Sequence, residues 1–144
     1  MIEQDTIKLL RECDAGVQMG TESIAEVLPE VRSDTLKQFL SQCKEEHLKL
    51  QGEIRALLDQ YHDEGKDPNP IAKGMSWVKT NVKLAMEESD RTVADLITDG
   101  CNMGVKSLNK YLNQYTAASE QAKDIAKRLI HLEQALAQDI RRFL

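Results

Sequence analysis

Apolar residues recur along the chain at spacings of three and four, the pattern of helices that each bury one face. In the first segment, Glu3 to Leu28, the stripe is Ile7, Leu10, Val17, Ile24 and Leu28, with Cys13, Gly16 and Gly20 beside it. Pro29 opposes continuation, because the residue before a proline avoids the α region. Ser33 then offers an N-cap hydroxyl, and Asp34 places negative charge on the first turn of the next helix. That second segment, Asp34 to Asp63, carries the cleanest face: Leu36, Leu40, Cys43, His47, Leu50, Ile54, Leu57 and Tyr61. It predicts a helix of about 30 residues, roughly 45 Å long. His62 falls in its last turn, where a cation suits the helix dipole, and Gly65 ends it.

Beyond the linker "GKDPNP", Asn69 and Pro70 read as N-cap and first helical residue. Ile71, Met75, Val78, Val82 and Ala85 form the stripe of a shorter helix, with Trp77 beside it. A single helix from Pro70 to Tyr115 would be about 70 Å long with nothing to pack along it, so a break is placed near Ser89. Ser89 or Asp90 caps a helix carrying Val93, Ile97, Cys101, Leu108, Leu112 and Tyr115. The last helix, Ser119 to Phe143, presents Ala122, Ala126, Leu129, Glu133, Leu136, Ile140 and Phe143.

The pattern repeats. "CDAGV" from Cys13 has a counterpart in "CNMGV" from Cys101, and "SDTLK" from Ser33 one in "SEQAK" from Ser119. Ile54 and Ile140 close a further matching pair. The chain therefore reads as a helical hairpin followed by a degenerate copy, and the copy predicts the same break at Ser89. The expectation is one all-α domain over 1–144, with a hairpin at 3–63, a crossover at 64–88 and a hairpin at 89–144. Two antiparallel hairpins joined by one long crossover make a ferritin-like four-helix bundle with a short extra helix in the crossover. A plain up-down-up-down bundle is the alternative, but neighbouring antiparallel helices need only a short loop.

Composition agrees with helices and narrows the partners. Seven Gly and three Pro are few for 144 residues, and strong helix formers dominate. A net charge of −5, with Lys and Arg dispersed among carboxylates, disfavours nucleic acid, which needs a basic face. The acidic start "MIEQDTIKLL" lacks the basic region and long apolar run of a signal peptide. No apolar run approaches the ~20 residues of a membrane span. The first helix is amphipathic, but its polar face holds more acid than base, which disfavours an anionic lipid surface. Three cysteines without a CxxC point to a reducing cytoplasm rather than a disulfide framework.

Three stretches carry a resemblance: "LKQFLSQCKEEHLKLQGEI" in the second helix, "GMSWVKTNV" in the crossover, and "DLITDGCNMGVKSLNKYL" with Tyr111 near its end. In order and spacing they resemble an uncharacterised bacterial branch of the ferritin-like superfamily, a domain of unknown function. The resemblance covers nearly the whole chain. It implies a four-helix bundle plus a short helix, and no settled activity.

Di-iron members of that superfamily place Glu on two helices and Glu-x-x-His on two others. This chain has no Glu-x-x-His: Lys44 stands three before His47, and Arg128 three before His131. His131 lies off the apolar stripe. Near mid-bundle the first and fourth predicted helices hold Asp14, Gln18, Asn102 and Lys106, read as facing inward, where an Asn or Lys opposes a cation. His47 and Glu133, 86 positions apart, both occupy apolar positions of their stripes. One reading is a buried hydrogen bond that fixes helix register. The other is a reduced metal site of His47 and Glu133, completed by Glu46, Cys43 or Asp14; Cys43 thiolate with imidazole suits zinc or copper, and a ferritin-like metal protein would hold iron, zinc or manganese. Cys13 and Cys101 read as small core residues, with a redox pair as the sharper alternative. The glycines at 16, 20, 100 and 104 cost helix propensity and predict a close approach of two helix backbones.

Two functions follow. The first is a non-catalytic structural or interaction protein, compatible with a homodimer, with no cofactor expected and its protein partner unspecified. The second is a ferritin-like metal-binding protein or oxidoreductase.

Overall fold

The structure, a computed structural model, describes residues 2–63 and 89–144. It places four helices: α1 (Ile2–Val27), α2 (Asp34–Gln60), α3 (Ser89–Gln114) and α4 (Glu120–Asp139). No strand occurs among the described residues, and none of their helices is long and apolar enough to cross a membrane. The crossover at 64–88, with its expected helix, Trp77, the Asn69–Pro70 cap and Gly65, lies outside the described residues.

The helix ends follow from local chemistry. α1 gives way to a 3-10 turn, Leu28–Glu30, that carries Pro29. The Ser33 hydroxyl accepts from the Leu36 N–H at 3.3 Å, and the Ser119 hydroxyl accepts from the Ala122 N–H at 3.2 Å. The two halves of the repeat thus cap their second helices in the same way. α2 ends at Gln60, earlier than its apolar stripe suggests. His62 there adopts a left-handed φ of 56°. Its N–H donates to the Asp59 carbonyl at 3.0 Å, and the Asp63 N–H donates to Leu58 at 2.9 Å. That is a Schellman stop with a histidine where glycine is usual, so His62 lies beyond the last turn rather than within it. α4 is also shorter than expected, since Arg141–Phe143 form a 3-10 turn.

Three contacts fix the helix directions. Asp90, at the head of α3, accepts from the N–H groups of Arg32 (2.7 Å) and Ser33 (3.1 Å) at the head of α2. Asp5 and Thr6, at the head of α1, accept from Ala117 (3.1 Å) and Ser119 (2.8 Å) at the head of α4. Arg11 of α1 binds Asp63, just past the end of α2, at 2.9 Å. So α1 and α4 run one way and α2 and α3 the other. Asp63 and Ser89 therefore lie at opposite ends of the bundle. Both α1 and α4 pack against α2 and α3, and they also meet across the diagonal.

The apolar stripes meet in two clusters. Leu9, Leu10, Val17, Leu50, Ile54 and Leu129 are among those filling the end where α1 begins. Ile24, Val27, Leu36, Leu40, Val93 and Leu136 are among those filling the other. Each such side chain stabilises the fold by about 1.5–3 kcal/mol on burial. Between the clusters lies one layer formed by Gly20 of α1, His47 of α2, Gly104 of α3 and Glu133 of α4. His47 and Glu133 are the polar members, 1 % and 8 % exposed.

Candidate functional site

The heptad of α2 and the stripe of α4 bring His47 and Glu133 to the bundle axis at the same depth. His47 Nε2 lies 2.7 Å from Glu133 Oε1. His47 Nδ1 lies 2.8 Å from the Cys43 carbonyl oxygen, one turn back on α2. A carbonyl only accepts, so Nδ1 carries a proton and donates it. The Cys43 sulfur lies 3.4 Å from the same nitrogen. One further proton is shared between Nε2 and Oε1. Burial disfavours the charged imidazole, but its hydrogen bonds to Cys43 and Glu133 and the negative charge of Glu133 outweigh that. They raise the His47 pKa to about 10. At neutral pH the pair is an imidazolium against a carboxylate.

The layer requires a glycine on α1. A Cβ at Gly20 would lie 2.8 Å from His47 Nε2 and 2.9 Å from Cδ2, distances that real contacts do not tolerate. Gly20 is the gap into which the imidazole fits.

Of the five candidate metal ligands, the structure brings together His47, Glu133 and Cys43. Glu46 is half-exposed and bonds to Lys49 at 3.3 Å. Asp14 is buried, but it accepts from Gln18 at 3.0 Å and pairs with Arg55 at 3.4 Å. Arg55 lies about two turns along α2 from His47. Cys43 and Glu133 approach opposite nitrogens of one ring, so a single cation cannot take both together with the imidazole. Among the described residues no group of three or more His, Cys, Asp or Glu is placed to hold a metal ion.

Other expectations change. Asn102 and Lys106 point to solvent rather than into the bundle, because the buried face of α3 follows Cys101 and Leu108. Cys13 and Cys101 are buried in different clusters, so they are not a redox pair. Burial, with Glu12 and Asp14 nearby, pushes the Cys13 thiol up to about 12. Burial also raises the Cys101 thiol, reinforced by the Glu133 carboxylate beside it. That neighbour of Glu133 was legible only as an apolar position.

The glycines at 16 and 104 do not seat one backbone on the other. A Cβ at Gly16 would meet Leu129 at 3.6 Å, and one at Gly104 would meet Glu133 at 3.7 Å. Instead they bound a groove between α1 and α3 with a volume of about 220 Å³. Met19 of α1, Met103 of α3, and Leu129 and Glu133 of α4 are among its lining residues. Gly100 has open space around it.

Set against models of known protein families, curated proteins and solved structures, the chain matches none.

Proposed function

We propose that this chain is a non-catalytic ferritin-like bundle, a structural or interaction protein whose mid-core imidazole–carboxylate pair sets helix register and holds no metal. The observation that carries this reading is the occupancy of His47. One ring nitrogen faces the Cys43 carbonyl and the other faces Glu133, so neither is presented to a cation. The ferritin-like reading is supported by the helix directions and by Asp63 and Ser89 lying at opposite ends of the bundle, an arrangement that agrees with the ferritin-like plan.

Metal content of untagged protein purified anaerobically, measured by mass spectrometry beside His47→Leu, tests the reading. The expected result is no stoichiometric metal in either. Near-stoichiometric iron, zinc or manganese that disappears in His47→Leu would overturn it.

A further inference from the structure

We propose that the outer face of α3 is a homodimer surface. Two copies pack their α3 helices antiparallel with Met103 at the two-fold axis, Asp99 against the partner's Lys106 and Asp95 against the partner's Lys110.

The first observation is the order of charge along one stripe. Asp95, Asp99, Met103, Lys106 and Lys110 follow one another at spacings of four, four, three and four, and all are exposed. They therefore share one face of α3, turned away from the core. That face is acidic toward the head of the helix and basic toward its end, with Met103 between. Within one copy the order sets like beside like. Asp95 and Asp99 are one turn apart, as are Lys106 and Lys110, and like charges at that spacing repel. The helix dipole favours acids at the head and bases at the end, but only within the first and last turns. α3 runs from Ser89 to Gln114, so Asp99 and Lys106 stand well inside it. The equivalent positions of α1 are Ile7, Arg11, Ala15, Gln18 and Glu22, so the order does not come from the repeat. A second copy running the opposite way meets acid with base. One register, with its axis between Asn102 and Met103, forms both charge pairs at once, whereas a parallel pair in register would set like on like.

The second observation is the apolar centre. Met103 is 55 % exposed, the highest value for a large apolar side chain among the described residues. It also lines the groove between α1 and α3, so its apolar surface continues toward Ala15 and Met19. An apolar centre flanked by charge is the anatomy of a protein interface. From Asp95 to Lys110 the stripe is about 22 Å long, and one helix face is small beside the ~800 Å² per partner of a stable interface. The dimer is therefore weak, and its exposed charge pairs make it sensitive to salt.

This dimer names the partner of the interaction protein proposed above and rests on that reading. The test is sedimentation velocity from micromolar to millimolar protein, at low and at high salt, with metal content assayed on the same sample. Wild type should dimerise at low salt and dissociate as salt is raised. Lys106→Glu/Lys110→Glu and Asp95→Lys/Asp99→Lys, each verified as folded by circular dichroism, should self-associate at least about tenfold more weakly. An equimolar mixture of these two variants should dimerise again. Glu45→Lys/Asp59→Lys, which reverses two exposed charges on α2, should leave association unchanged. A wild type that stays monomeric at low salt would overturn the proposal. So would association undiminished by the reversals on α3, no recovery in the mixture, or an equal loss from the reversal on α2. Stoichiometric bound metal would instead overturn the function on which the proposal rests.

Discussion

At the scale of single residues, two glycines, Gly20 and Gly104, have opposite roles. Gly20→Ala forces a Cβ onto the imidazole of His47, and the 2.7 Å bond to Glu133 must break or distort. Overpacking and a broken buried pair together should cost about 2–4 kcal/mol. Gly104→Ala meets no such obstacle and should stabilise by up to about 1 kcal/mol through helix propensity. Urea unfolding with unchanged slope separates the two, one midpoint falling and the other rising. The pair itself yields to a double-mutant cycle. His47→Leu or Glu133→Leu alone leaves a buried polar group without its partner and should cost about 3 kcal/mol or more. The double leucine variant should be as stable as wild type or more so. Additive losses would mean that the pair is not coupled. The burial of His47 and Glu133 is legible in sequence because both replace an apolar residue in a regular stripe. The role of Gly20 is not, because periodicity assigns a residue to a face and says nothing of how far a side chain on the next helix reaches. The misplaced Asn102 and Lys106 have the same origin: Asn102 follows the buried Cys101 and Lys106 the half-buried Val105, and spacing alone does not set how wide the buried face is.

At the scale of helices, most of the architecture is legible, and the ends show why some is not. Ser33 and Ser119 are recognisable caps because a hydroxyl before a helical stripe can satisfy an otherwise unpaired N–H. Ser33→Ala and Ser119→Ala should each cost about 1 kcal/mol, and the two losses should add, since the caps lie at opposite ends of the bundle. The stop of α2 is hidden because its left-handed residue is His62, which has no local preference strong enough to announce it. The same strain makes a prediction. His62→Gly removes the penalty of a left-handed side chain and should raise stability by about 1 kcal/mol, read as a higher melting temperature. A decrease would mean that the imidazole contributes more at that turn than the backbone strain removes.

At the scale of the whole molecule, the repeat and the helix directions fit together. A two-fold axis perpendicular to the bundle would exchange α1 with α3 and α2 with α4, each pair antiparallel. Positions 86 apart on α2 and α4 can touch only near such an axis, and His47 and Glu133 do. The offset and a buried hydrogen bond between the two were legible in sequence, whereas the helix directions rest on Asp90, Asp5 and Thr6 reaching backbone N–H groups far away in the chain. Because this central pair separates the two apolar clusters, its protonation acts on the stability of the whole fold. The folded protein holds the His47 proton more tightly than the unfolded chain does, with a pKa raised to about 10 against an ordinary value near 6.5. A proton bound more tightly in the folded state stabilises it wherever that proton is present. The contribution is therefore complete below about pH 6.5. It declines as pH rises and is lost on passing the folded value of about 10. Urea midpoints measured from pH 6 to 10 should fall for wild type. The His47→Leu/Glu133→Leu variant, which has no such proton, should lose the part of that slope due to His47. Parallel curves for the two proteins would show that the imidazolium is not the titrating group, and that the alkaline loss arises elsewhere in the bundle.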